Sequence, residues 1–429
     1  MEKVGQYDCT KTRKPHHTSP FAVVACCSSR ISHCMQYAGF RACGIGDTGI
    51  AETDLPTAGP SETTSAPSLP DTPGTDGESS VSHPLNSSTE GVRILGVRNL
   101  AAETGINCDW SCSGIELTVR HEGGDLRFNI SSTAGCYFRA YVDGEVWYFS
   151  EENPYCTVNL FGKLTLTDLS AGVHTVRVTK VTGYTLARAQ ILSVDFKGEI
   201  LTDDALTADS ELYFEFVGDS ITCGWGTIGN HAGAYTDQDG TYAFSYLLAE
   251  KYGADYSMTA LSGQGLLCGT PGVTNGYLYA SALRDTSEQY AFERKADLVV
   301  INIGTNDYAQ RNNLGITEAT FREAYLSFLQ TVREKNGADC KIVCLYNVMN
   351  DTFANAIISA CAEMGGEASG IYCLKMPRSA GNQHPTIEEQ KICAAVLEDV
   401  INRALATPST VIEGYGSVID WESVSSITD

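Results

Sequence analysis

A serine follows directly on an apolar, aromatic run in this sequence: Leu212 to Val217 reads LYFEFV, and Gly218-Asp219-Ser220 comes next. The run has the composition of a buried strand, so the serine sits where a strand hands over to a loop or helix, among backbone amides and near a helix N-terminus. A serine hydroxyl is inert at its own pKa. It becomes a nucleophile when a base lies within hydrogen-bond reach and donors face the oxyanion that forms on the attacked carbon. From residue 206 onward the chain has two histidines, His231 and His384, and His384 stands just before Pro385 and a helix start. The choice of base is therefore narrow. Two further stretches offer donors: Leu261-Ser262-Gly263-Gln264-Gly265, whose glycines let a backbone amide point into a cleft, and Gly304-Thr305-Asn306-Asp307, with a side-chain amide.

These points need a scaffold that brings them to one place. After about residue 206 the pattern alternates strands with helices, beginning with the strand before Gly218 and a helix over Thr241 to Tyr252 stopped by Gly253. Strands at Asp255 to Ala260, Asp297 to Ile303, Lys341 to Tyr346 and Ile371 to Lys375 are separated by a helix whose face is Phe321, Ala324, Tyr325, Phe328, Leu329 and Val332. Thr386 followed by Glu389 is a capping box opening the last helix. This predicts an α/β sandwich with a parallel sheet, where functional groups collect at the carboxyl ends of strands.

Upstream, residues 91–205 show short alternating segments, among them Ile115 to Val119, Leu126 to Ile130, Tyr137 to Val142, Val146 to Phe149, Lys163 to Leu166, His174 to Val178 and Ile191 to Phe196. They predict a β-sandwich of the jelly-roll kind. Trp110, Tyr137, Trp147 and Tyr148 there fit core packing better than a sugar-stacking surface. Residues 51–90 are rich in Pro, Ser, Thr, Gly and acid and read as a tether, and residues 1–50 as a disordered leader. The hydrolytic half would span 206–408, leaving a tail at 409–429 that contains Trp421.

With 429 residues the chain exceeds a single core. A formal net charge of -23, from 29 basic and 52 acidic side chains, excludes nucleic acid and an anionic membrane surface as natural partners and suits a neutral one such as a glycan. No apolar run approaches the ~18 residues of a membrane-spanning helix. Sixteen cysteines lack CxxC spacing; the eleven after residue 44 read as free thiols, with a Cys108–Cys112 disulfide as the alternative. No metal site or phosphate loop is present in the pattern of residues 206–408, and no cofactor is expected.

GDSIT at 218–222, SG at 262–263, GTND at 304–307 and HP at 384–385 occur in the order of the SGNH (GDSL-like) hydrolases. With the preceding sandwich domain, residues 92–405 resemble the two-domain acetyl esterases of carbohydrate esterase family 2, which act on plant cell-wall polysaccharide. The resemblance implies a three-layer α/β/α fold in which Ser220 attacks an acetyl carbon and His384 moves the proton. Its oxyanion hole would be the amides of Ser220 and Gly263 with the side chain of Asn306. Trp225 and Asp307 become candidates for substrate contact, with a packing role as the alternative for Trp225, while Asp219 braces the turn. The pattern usually has an aspartate two or three residues before the histidine; here Gly381 and Asn382 stand there, and Asn382 becomes the candidate orienter of the imidazole. The implied protein is a monomeric, cofactor-free esterase, secreted or surface-tethered, that deacetylates a polysaccharide or oligosaccharide. The alternatives are a glycan-binding protein whose hydrolase fold has weak or no activity, and a lipase-like esterase preferring long acyl chains.

Overall fold

The computed structural model of the protein describes residues 80–406, apart from 97, 99–102, 134, 230–236, 270–271 and 282–284. The expected leader, most of the tether, the tail with Trp421, and His231 lie outside the described residues.

The first half is all antiparallel. One sheet orders Val81–Pro84, Ala189–Phe196, Gly124–Ser132 and Phe161–Leu169, with Ile106–Cys108 also on Ala189–Phe196. The other orders Gly198–Ile200, Gly114–His121, Gly172–Lys180, Cys136–Val142 and Glu145–Val146, with Val92–Leu95 added to Gly114–His121 and Cys156–Val158 to Cys136–Val142. Period-two alternation explains how they meet. Leu126, Phe128 and Ile130 of the first sheet and Leu117, Val119, Val176 and Val178 of the second share one buried core. Each such side chain contributes roughly 1.5–3 kcal/mol by leaving water. Six of the seven expected segments correspond to strands; of Val146 to Phe149 only Val146 lies in one, the short strand Glu145–Val146. Sequence reading misses the shortest, such as Cys156–Val158 and Gly198–Ile200. It also misses Val81–Pro84, a largely exposed edge strand ending in proline that lies within the stretch read as tether.

The second half is built on a parallel sheet ordered Asp255–Ala260, Tyr213–Gly218, Leu298–Asn302, Lys341–Tyr346, Ile371–Lys375. Apart from Glu215, its central strands are apolar on both faces because helices cover both. Phe214, Phe216, Leu298 and Val300 meet Leu248, Leu397 and Ile401 of helices Phe244–Tyr252 and Ile387–Leu405. Val217, Val299 and Ile301 meet Phe321, Phe328 and Ile357 of helices Glu318–Asn336 and Ala354–Glu363. Helix Thr305–Leu314 was hidden in the sequence because TNDYAQRNNL has no apolar stripe.

The two halves interlock. A parallel bridge joins Gly96 to Ser257, and Arg98 reaches into the α/β half to pair with Glu215 at 2.9 Å, both side chains fully buried. Trp110 and Tyr184 of the β half meet with ring centroids 4.6 Å apart and planes tilted by 59°, and Leu261 packs with them. Trp110 therefore packs rather than presents a sugar platform; Trp147 leans on the sandwich core and Tyr148 is the outward-facing aromatic of the expected four. The eleven cysteines from Cys108 to Cys393 are free thiols, so Cys108 and Cys112 are not bridged.

Candidate active site

Strand Tyr213–Gly218 delivers Ser220 to the carboxyl edge of the sheet. Gly218 is required there because a Cβ would stand 2.0 Å from the Thr222 hydroxyl. That hydroxyl in turn accepts from the Asn302 amide at 3.2 Å, fastening the turn to the neighbouring strand. The turn is closed by Trp225 N–H donating to the Ser220 carbonyl at 2.9 Å. Ser220 is 5% exposed, against 0–1% for Asp219, Ile221 and Thr222 beside it.

His384 arrives from the opposite end of the sequence. Its Nε2 lies 2.8 Å from Ser220 Oγ. Two devices hold the histidine loop. Glu389 accepts from the backbone N–H of Ala380 at 2.7 Å and of Thr386 at 2.8 Å, on either side of His384. Gln390, fully buried on the same helix, donates to the Ile221 carbonyl at 3.0 Å and accepts from Phe244 N–H at 3.0 Å, tying the helix to the serine turn. The capping box was legible in sequence, but the reach of Glu389 back to Ala380 and the bridge through Gln390 were not.

Gly263 lies on the loop after Asp255–Ala260 with φ +81°, solvent-exposed and open around its α-carbon. Asn306, in the first turn of helix Thr305–Leu314, donates from Nδ2 to the Gln264 carbonyl at 2.8 Å and to Asp219 Oδ2 at 3.4 Å. The oxyanion candidates are thus linked: Asn306 bonds the loop that carries Gly263 and the carboxyl beside Ser220.

Two expectations change. Asp307, a candidate for substrate contact, is fully buried, and its oxygens accept from Leu266 N–H at 2.9 Å and Leu267 N–H at 2.7 Å. It clamps the Gly263 loop instead of facing a substrate. Asn382, the candidate orienter, is solvent-exposed at φ +56°, and its oxygen accepts from Arg378 at 3.5 Å. Its side chain thus faces Arg378 and solvent. Trp225 is half-buried against the core beneath the sheet.

The electrostatics are unusual on the serine side. Asp219 is completely buried, and burial pushes its carboxyl up to about 7, opposed by Ile221 N–H at 3.0 Å and reinforced by nearby Asp307, itself raised by burial. The same burial pushes Cys223 up to about 12, which keeps that thiol neutral beside the turn. Among the described residues no group of three or more His, Cys, Asp or Glu is placed to hold a metal ion.

The model of the GDSL-like lipase/acylhydrolase family matches residues 216–402, the segment that carries all of these groups. Those residues form a GDSL-like lipase/acylhydrolase domain. The chain is 28% identical over 338 residues to the cellulase/esterase CelE of Acetivibrio thermocellus, covering 73% of this chain and 40% of that protein's length. It is 24% identical over 252 residues to the acetylxylan esterase / glucomannan deacetylase of Cellvibrio japonicus, covering 53% of this chain and 69% of the relative. Among solved structures, a family two carbohydrate esterase from Clostridium thermocellum in complex with cellohexaose superposes with a TM-score of 0.64 at 25% identity, over 73% of this chain and 99% of that one. The structural match thus takes in more of the chain than the GDSL-like domain alone.

Proposed function

We propose that the protein is a serine esterase that removes O-acetyl groups from plant cell-wall polysaccharide or its oligosaccharides. The observation that carries this reading is the 2.8 Å contact between Ser220 Oγ and His384 Nε2. As His384 takes its proton, Ser220 attacks the acetyl carbonyl. The carbonyl oxygen becomes an oxyanion met by the amides of Ser220 and Gly263 and the side chain of Asn306. Collapse expels the sugar alkoxide, which takes the proton back from His384. Water, deprotonated by His384, then releases acetate and frees the serine. An acetyl group suits a serine that is 5% exposed. The relatives that act on glucan- and xylan-type polymers support a glycan leaving group. In this reading the β half is a jelly roll joined to an SGNH-type sandwich, and the protein works outside the cell or tethered to its surface. Trp225 would touch the sugar with its uncovered face.

The test is acetate release from acetylated xylan, acetylated glucomannan and p-nitrophenyl acetate, beside the Ser220→Ala variant. The reading expects turnover that the variant loses. Binding of the polymers with no Ser220-dependent acetate release would make this a glycan-binding protein, and a preference for long acyl chains would make it a lipase-like esterase.

A further inference from the structure

The Asn306 carboxamide has two N–H hydrogens, and both are engaged: one by the Gln264 carbonyl at 2.8 Å, the other by Asp219 Oδ2 at 3.4 Å. A carboxamide turns easily about its last torsion, so one acceptor leaves it free to swing, whereas two fix its plane. Both acceptors here are themselves fixed. Gln264 belongs to the loop that Asp307 clamps through Leu266 and Leu267, and Asp219 is fully buried with Oδ1 accepting from Ile221 N–H at 3.0 Å. The two bonds differ in strength. At 2.8 Å the bond to Gln264 is ordinary, while 3.4 Å is long for N–H···O, so the hydrogen aimed at Asp219 is the one with capacity left to be shared with a forming oxyanion, without rotation of the amide plane.

We propose that Asp219 is a positioning residue that acts through Asn306: it holds the side-chain amide of the oxyanion hole in the plane the reaction needs and shares one of its hydrogens with the oxyanion when charge develops. This rests on the esterase reading above. It differs from a role in bracing the serine turn, which Asp219 would perform through Ile221 N–H and the Thr305 hydroxyl. Asp219→Asn separates the two roles. A single oxygen remains after the substitution, and the buried Ile221 N–H claims it, so the brace survives. The new NH2 then faces the NH2 of Asn306, donor against donor.

The experiment is a double-mutant cycle of Asp219→Asn and Asn306→Ala, read as kcat and KM on p-nitrophenyl acetate, with Asp219→Ala as a second route around the same square. Loss of an oxyanion donor lowers kcat by about 10²- to 10³-fold, and Asn306→Ala is expected in that range. Asp219→Asn is expected to lower kcat about tenfold or more at nearly constant KM. The double variant should match Asn306→Ala within about twofold, because two residues acting as one unit are not additive. A double variant lower than Asn306→Ala by the full Asp219 factor overturns the proposal, as does Asp219→Asn with wild-type kcat. Absence of any Ser220-dependent turnover in the wild type overturns the esterase reading, and this inference with it.

Discussion

The two arms of the site are held in opposite ways. The serine arm, Gly218 to Thr222, is buried, stands at the end of a central strand, and takes its bonds from the sheet, from the Asn302 side chain and from helix Ile387–Leu405. The histidine arm, from Arg378 to Thr386, lies on an exposed loop with Gly381 and Asn382 in left-handed conformations. Its fastenings are side-chain to backbone bonds, above all from Glu389. A nucleophile must be placed against a substrate carbon and tolerates little drift, whereas a base must take a proton from one side and return it to another. Burial fixes the first; a braced but open loop serves the second.

The sharpest way to break this comparison is to remove the side chain that joins the arms. His384→Ala should lower kcat at least ~10³-fold while the protein stays folded, since the half-exposed imidazole lies outside the core; circular dichroism with steady-state kinetics measures both.

The buried arm has a pH signature of its own. Asp219 titrates at about 7 in the folded protein against the ordinary 3.8. Between those values the folded state binds the proton that the unfolded state has released, so stability conferred by this group is full below pH 3.8 and is lost as pH rises through about 7. Asp219→Asn, which cannot ionise, should narrow its deficit or overtake the wild type as pH rises from 4 to 8, in urea unfolding followed across that range. Parallel curves for the two proteins would show that Asp219 does not titrate in this window.

On the open arm the effects are smaller. Glu389→Ala removes the acceptor for two backbone amides flanking His384. It should cost about 1 kcal/mol of stability and reduce kcat several-fold at unchanged KM. Asn382→Asp should change nothing within about twofold, because the side chain points to Arg378 and solvent. An increase in kcat would mean that residue 382 does reach the imidazole.

What the sequence disclosed follows from the same contrast. The serine arm was legible because its signal is local: an apolar run, a small residue, then Asp219 and Ser220. Strand ends at Ala260 and Asn302 were legible for that reason too, and four such points in one order named the arrangement before the structure did. Burial was less legible. Asp307 reads as a polar group just past a strand end, and only the packed loop above it shows that both oxygens serve Leu266 and Leu267. Likewise Asn382 sits where an orienting residue belongs by count, but its side chain is exposed and bonded to Arg378, which no spacing rule reveals. Nor did the sequence disclose the contacts across the halves, Arg98 with Glu215 and Trp110 with Leu261, because residues more than 100 positions apart leave no periodic trace of their pairing.

The central claim, that Ser220 carries the acyl group, has one direct measurement. Acid quenching of the wild-type protein during turnover of p-nitrophenyl acetate, followed by peptide mass mapping, should find an acetyl group on the peptide containing Ser220 and none in Ser220→Ala. Turnover that proceeds at the wild-type rate in Ser220→Ala, or an acetyl group that accumulates on a different residue, would contradict the account.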